Sequence, residues 1–239
     1  MFEPLIFVPI FNHLREFEAF APRLIAAAAG TPILLVDDGS RAEDAAAISE
    51  FCRSRNFALL RHETNRGKGA AMKTALVYAA QNGFSHALQI DADGQHDAAD
   101  IPRFLAAARA EPNALINGSP IYDASAPRSR TLGRKITNFW VALETRSRAI
   151  ADAMCGFRVY PVAELAARGV LARLKCAGMA GDIESIVLAF RAGVPVRNLP
   201  TKVVYPTGGT SHFHLFSDNI RVSRLHARLF LQSFLRRKK

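Results

Sequence analysis

The spacing most suited to chemistry in this chain is Asp91-Ala92-Asp93. In extended backbone, residues i and i+2 face the same side, so both carboxylates can reach one point, with Gln95 following. Two like charges held that close raise the free energy unless a cation compensates them. An all-oxygen donor set suits Mg²⁺ or Mn²⁺, which commonly bridge carboxylates and substrate phosphates. The competing reading is an exposed acidic turn. The strand-like Ala87-Leu88-Gln89-Ile90 immediately before it favours the metal reading.

Two further segments suit a ligand with a base, a ribose and phosphates. Asp37-Asp38-Gly39-Ser40 follows the apolar Ile33-Leu34-Leu35-Val36. It reads as a helix-start turn capped by Ser40 or Asp38, or as a carboxylate accepting a hydrogen bond from a base ring N–H or a ribose. No GxGxxG follows the first strand, which excludes the dinucleotide-binding version. Asn65-Arg66-Gly67-Lys68-Gly69 opens a helix; its glycines permit close backbone approach, and its helix N-terminus and basic pair favour an anion. The P-loop pattern cannot be laid on it. Ser211-His212-Phe213-His214 lies in a Gly-rich loop that could order over a ligand, with His212 completing a metal shell. Incidental histidines on a surface loop are the alternative there.

These residues need a scaffold, and the sequence supplies one. Leu5–Ile10, Pro32–Val36, Phe57–Leu60, His86–Ile90 and Ala114–Asn117 read as strands. Phe17–Ala28, Ala42–Arg53, Gly69–Ala80 and Ile101–Ala110 read as helices between them. Strands alternating with helices of this length imply βαβ units and a mostly parallel α/β sheet. The strands are continuously apolar, as expected when helices cover both faces. Ligands in such sheets bind at the carboxyl ends of the strands. Pro9 to Asn12, Asp37 to Ser40 and Asp91 to His96 all fall there. Asp123–Arg134 is the best candidate boundary. Beyond it the pattern predicts a helix over Lys135–Ile150, a strand over Gly156–Tyr160, a helix over Ile183–Ala192, an extended Val203–Tyr205 and a last helix from about Asn219. The organisation expected is one α/β domain over 1–205, then a Gly/His loop and a basic helix over 206–239.

With 239 residues, 49% of them apolar and 22% charged, the chain can bury a full core and is not disordered as its main state. Its longest apolar run, Leu24–Val36, is broken by Gly30 and Pro32, which excludes a spanning helix. Met1-Phe2-Glu3-Pro4 lacks the basic region of a signal peptide. Cys52, Cys155 and Cys176 give neither a disulfide framework nor a zinc site, and read as small buried thiols in a reducing compartment. The expectation is a soluble cytoplasmic chain.

Charge is lopsided. Residues 1–126 carry a net −4 and residues 127–239 a net +14. An anionic partner for the second half follows: nucleic acid, membrane surface or phosphorylated substrate. After Asp218 there are seven basic residues and no acid, with Arg221, Arg224 and Arg228 on one side of a helix. A basic amphipathic helix reads as a membrane-surface element, or as a packed helix with a solvated basic edge. No aromatic-interleaved basic sheet or recognition module supports nucleic-acid binding.

In order and spacing, strand–Pro9-x-x-Asn12, strand–Asp37-Asp38-Gly39-Ser40, Asn65-x-Gly67-x-Gly69-Ala70 and strand–Asp91-Ala92-Asp93-x-Gln95 resemble the family 2 glycosyltransferases of GT-A fold. The resemblance runs over about residues 2–205 and is nearest to polyprenyl-phosphate sugar synthases of the dolichyl-phosphate mannose synthase type. Asp152-Ala153-Met154-Cys155-Gly156-Phe157-Arg158 is similar to a segment beside that family's acceptor site. Gly181-Asp182-Ile183-Glu184 sits where the family has an acidic segment opening a helix under the active site. His13 stands where the first motif usually has glutamate, and Gly94 where the synthases mostly have leucine.

The resemblance implies a metal-dependent, inverting transfer from a nucleotide-diphosphate sugar to a lipid-linked or lipid acceptor, on the cytoplasmic face of a membrane. Pro9, Asn12, Asp37, Asp38, Gly67, Lys68 and Ala92 would form the nucleotide pocket. Asp91, Asp93 and Gln95 would hold Mg²⁺ or Mn²⁺, with His212 as a further ligand. Arg158 and the Arg128, Arg130, Arg134 group would contact phosphates. Asp152 would stand with Arg158, Asp182 and Glu184 in the catalytic group. A hydroxyl acceptor requires a base, for which Asp182 or Glu184 are the acids available; an ionised lipid phosphate requires none. Both acids also suit the first turn of a helix simply through its dipole. A silent nucleotide-sugar-binding module on a membrane and a sugar nucleotidyltransferase are the alternatives.

Overall fold

Uninterrupted Leu, Ile and Val runs cannot leave either face of a strand in water, and they set the centre of the sheet. In the computed structural model, β1 (Pro4–Ile10), β2 (Ile33–Asp37) and β4 (His86–Gln89) are buried almost throughout. The residues described are 1–122, 128–175, 178–204 and 215–235, the side chains of 128–130, 215–218, 234 and 235 excepted.

Seven strands form one sheet in the order β3-β2-β1-β4-β6-β5-β7, where β3 is Ala58–Arg61, β5 Leu115–Tyr122, β6 Arg158–Pro161 and β7 Val196–Val203. Strands β1 to β4 are mutually parallel, β6 runs antiparallel to both neighbours, and β5 pairs β7 in parallel. This is the mostly parallel, helix-flanked sheet that the resemblance implies. Helices α1 (Leu14–Ala28), α2 (Ala42–Arg55) and α4 (Ile101–Ala110) cover one face through Phe17, Phe20, Leu24, Ile48 and Phe104. On the other face lie α3 (Lys68–Gln81), α5 (Arg128–Thr145), α6 (Val162–Ala167), α7 (Val170–Arg173), α8 (Gly181–Arg191) and α9 (Leu215–Leu235). Ala71, Ala75 and Ala79 give α3 a smooth stripe that is fully buried. A Cβ on Gly181 would lie 2.4 Å from the Gly69 Cα, so the first turns of α3 and α8 meet backbone to backbone.

The strand β7 is longer than the Val203–Tyr205 expected. Its Arg197, Asn198, Pro200 and Lys202 hide the pattern, and they are tolerated because β7 is an edge strand, paired with β5 along its length and bridged to His96 at Val203 alone among the described residues. Helix α5 begins at Arg128, inside the expected boundary segment, and ends at Thr145 rather than Ile150, where Arg146 turns to φ +53°. The short α6 and α7 went unread. Leu225 and Leu229 of α9 are buried in the same core as α3 and α8. Among the described residues no helix is long and apolar enough to cross a membrane. Cys52 and Cys155 are buried thiols, and Cys176 lies outside the described residues.

Candidate active site

The carboxyl ends of β1 and β2 are tied together before any ligand arrives. Asn12 sits at φ +55°; its N–H donates to the Ser40 hydroxyl at 2.9 Å, and its Oδ1 accepts from the Arg41 N–H at 3.0 Å. Asp37 accepts from the Ser40 N–H at 2.9 Å. Asp38 is buried and accepts from the N–H groups of Arg66 (3.0 Å) and Gly67 (2.6 Å), with His62 Nδ1 at 2.6 Å. Its carboxylate therefore clamps the loop that opens α3. Gly67 is required there: its φ is +89°, and a Cβ would stand 2.6 Å from the Gly178 Cα. Pro9 is half-buried just inside this edge.

Lys68, the first residue of α3, reaches the end of β4. Its Nζ lies 2.7 and 2.8 Å from the Asp91 oxygens and 3.0 Å from Asp182 Oδ2. Gln89 donates to Asp182 Oδ1 at 2.9 Å and accepts from the Tyr160 hydroxyl at 3.2 Å. Gly156 makes room for this cluster, since a Cβ would come 2.6 Å from Lys68 Nζ and 2.7 Å from Asp91 Oδ2. Burial alone would lower the Lys68 pKa, but Asp182 and Asp91 outweigh it and hold the ammonium above its usual range.

The two aspartates of the Asp91-Ala92-Asp93 segment are driven apart. Burial pushes Asp91 up, but Lys68, together with His96 and Gln89, outweighs this and holds it below the ordinary carboxylate range. Asp93 is raised, first by burial and then by the Asp91 charge. The backbone here is not extended as expected: Ala92 and Asp93 form a turn, with Gly94 at φ +66°, and Asp93 Oδ1 accepts from the Gln95 N–H at 3.0 Å. The turn still keeps the two carboxylates electrostatic neighbours. Ala92 is buried beneath them. A hard divalent cation fits this pair, because burial and Asp91 both oppose a charge on Asp93 and a cation between them would relieve that opposition. Among the described residues no group of three His, Cys, Asp or Glu could hold a metal, so an ion here would draw other ligands from substrate oxygens and water. His96 is buried with its ring 5.5 Å from that of Phe157, and burial pushes it down to about 4.

Arg158 requires a correction. It is 0% exposed, donating to Asn117 Oδ1 at 2.7 Å, to the Ala153 carbonyl at 2.7 Å and to the Asp182 carbonyl. It braces β5, β6 and α8 and has no face open to a phosphate. Asp152 receives Arg134 Nη1 at 2.8 and 2.9 Å and the Met154 N–H at 2.8 Å. Asp182 and Glu184 point apart, as residues two positions apart on a helix do. Asp182 faces Lys68. Glu184 accepts the Lys175 N–H at 3.0 Å and pairs with Arg228. His212 and the side chains of Arg128 and Arg130 lie outside the described residues.

Sequence reasoning missed His62, Gln89, Gly156 and Tyr160. Gln89 had a signal: a polar side chain inside an apolar strand run must find a buried partner. His62 directly follows β3, and a lone histidine at a strand end carries no spacing that points to Asp38.

The family model of glycosyl transferase family 2 matches residues 5–162. The chain is 25% identical over 203 residues to the dolichyl-phosphate beta-glucosyltransferase of Dictyostelium discoideum, covering 80% of this chain and 60% of that one. It therefore spans about six tenths of that relative's length. It is 23% identical over 189 residues to the UDP-N-acetylglucosamine–dolichyl-phosphate N-acetylglucosaminyltransferase of Methanococcus voltae, covering 72% and 74%. Among solved structures, glucosyl-3-phosphoglycerate synthase from Mycobacterium tuberculosis, in complex with Mn²⁺, uridine-diphosphate and glucosyl-3-phosphoglycerate, superposes with a TM-score of 0.65. That match has 14% identity over 96% of this chain and 79% of the other, and it shows a shared fold.

Proposed function

This chain belongs to glycosyl transferase family 2, and on that footing we propose that it moves a sugar from a nucleoside-diphosphate donor to a polyprenyl phosphate at a membrane surface, with inversion at the anomeric carbon. The observation that carries the reading is the Lys68–Asp91–Asp182 cluster with Asp93 beside it, at the strand ends where such sheets bind ligands. Pro9, Asn12 and Gly67 lie at the approach for the nucleoside, with the buried Asp37, Asp38 and Ala92 shaping it from behind. Asp91 and Asp93 would hold Mg²⁺ or Mn²⁺, with substrate oxygens and water as its other ligands; when bound, the ion supplies charge stabilisation for the departing diphosphate. Lys68 fixes Asp91 in its ionised form and keeps a positive charge beside the diphosphate.

The state of the acids supports an acceptor that is already ionised. Asp182 is 4% exposed and has one oxygen on Gln89 and the other on Lys68. Glu184 is 2% exposed and turned to Arg228. Neither is placed to take a proton from a hydroxyl, and a phosphate acceptor, already ionised at neutral pH, needs no base. Arg134, anchored by Asp152 and lying over the Tyr122 ring, is the described basic residue suited to meet that phosphate. Membrane docking is supported by α5, whose Leu132, Ile136, Phe139, Trp140 and Leu143 are all exposed along one side, and by the exposed Arg221 and Arg224 of α9.

Calorimetry with UDP, GDP, CDP and dTDP, with and without Mn²⁺, tests the donor site. One diphosphate should bind metal-dependently to the wild type and fail with Asp93→Ala. Failure of all four removes the donor assignment. Sugar transfer to a water-soluble alcohol at the rate seen with polyprenyl phosphate would remove the acceptor assignment.

A further inference from the structure

Thr74, His62 and Asp38 form a hydrogen-bonded chain from the second turn of α3 to the end of β2. His62 is buried and has a partner on each ring nitrogen. Nδ1 lies 2.6 Å from Asp38 Oδ1, and Nε2 lies 2.9 Å from the Thr74 hydroxyl. A carboxylate only accepts, so Nδ1 carries the proton, and the neutral ring then accepts at Nε2 from Thr74. The His62 backbone N–H donates to the Asp37 carbonyl at 2.8 Å, which seats the residue on β2.

This chain holds α3 at two places. Asp38 takes the Gly67 N–H directly at 2.6 Å, and it reaches Thr74 through the His62 ring. Gly67 and Thr74 lie two turns apart on one side of the helix, about 10 Å along its axis. A single anchor leaves a helix free to pivot. Two anchors on one carboxylate set both its axial position and its rotation. Gly178 closes the other side of the turn, 2.6 Å from where a Gly67 Cβ would stand. Lys68 is the first residue of α3, and its Nζ has to land between Asp91 and Asp182. The His62 ring bonds to none of these three; it governs where the first of them is delivered.

We propose that His62 is a positioning residue for the nucleoside-diphosphate site. Through Asp38 it holds the turn before α3, and through Thr74 the helix behind that turn, so that Lys68 meets Asp91. The ligand rests on the donor reading above; the clamp on α3 does not. A small misplacement of a site group is costly, so its effect should reach the ligand.

Three variants divide the chain. His62→Phe removes both nitrogens, His62→Asn returns an amide N–H near Nδ1, and Thr74→Val removes the hydroxyl while keeping the shape. Amide exchange by NMR reads the Gly67 N–H without any ligand, and calorimetry reads the diphosphate that wild type binds. In His62→Phe the Gly67 amide should exchange about tenfold faster, with the β1 amides as protected as in wild type. Its diphosphate Kd should rise about tenfold. His62→Asn should recover most of both effects, and Thr74→Val should bind about threefold more weakly than wild type. Should His62→Phe not fold, Thr74→Val and His62→Asn carry the test. The proposal is overturned if the folded variants bind diphosphate as tightly as wild type, if Gly67 exchange is unchanged in them, or if His62→Asn binds as weakly as His62→Phe. Wild type binding none of the four diphosphates, with Gly67 still losing protection in the variants, overturns the donor reading and leaves the clamp standing.

Discussion

Lys68 is the residue on which the candidate site turns, because it is the counter-charge to the buried Asp182 and the half-buried Asp91 at once. Removing one partner of a buried pair leaves an uncompensated charge, at about 3–5 kcal/mol. Lys68→Met should therefore lower the unfolding free energy by that amount and also abolish diphosphate binding. Arg158 should behave differently. Arg158→Lys leaves the Asn117, Ala153 and Asp182 acceptors short of donors, and each such buried group costs about 1–3 kcal/mol. The loss should appear in the unfolding curve, with nucleotide affinity of the folded protein retained; loss of affinity without loss of stability would return Arg158 to the ligand.

These two residues also mark how far a sequence can be read. Asp91 and Asp93 were legible because their spacing is local. Lys68 was legible only as a basic residue near a helix start, since its partner Asp182 lies far down the chain and spacing carries no information about it. Arg158 was misread because arginine is so rarely buried whole that exposure is the natural assumption.

At the scale of elements, two glycines separate positioning of the site from integrity of the fold. A methyl at Gly156 meets the far end of Lys68, a flexible side chain that can move aside and release Asp91. Gly156→Ala should still fold, with a melting temperature lowered by the weakened Lys68–Asp91 pair, and bind diphosphate poorly. A methyl at Gly181 meets the Gly69 Cα, which cannot move without parting α3 from α8. Gly181→Ala should unfold the protein or lower its stability by about 1–3 kcal/mol or more, as overpacking does. The apolar side of α5 makes a separate prediction. Ile136→Ser/Phe139→Ser should reduce co-sedimentation with anionic vesicles and leave diphosphate binding intact, since neither side chain contributes to the core. The continuous apolar strands made β1, β2 and β4 easy to recognise. The edge strand β7, with water on one side and a proline within, had no such pattern to offer.

Acid stability belongs to the molecule as a whole. His86 is buried, with Nε2 3.0 Å from the Pro112 carbonyl, and burial lowers its pKa in the fold; burial pushes His96 down to about 4. Each folded value lies below that of the unfolded chain, so the unfolded state takes up protons first as the pH falls. Stability is therefore complete above about pH 6.5 and declines below it, towards the folded values. The urea midpoint should fall between about pH 7 and about pH 5, and His86→Gln should flatten that decline. An unchanged slope in the variant would assign the decline to other groups.

The sheet order has a consequence for how the protein comes into being. Strands β1 to β4 leave the ribosome as a parallel half that pairs within itself, but the free side of β4 is reserved for β6. The next strand made, β5, cannot close that side, because its own neighbours β6 and β7 are both synthesised after it. A nascent chain that has reached β5 therefore presents one open edge and one strand with no partner. Such unpaired edges are what chaperones cover and what aggregation exploits. The half of the chain that carries the carboxylates depends on β6 to end that interval.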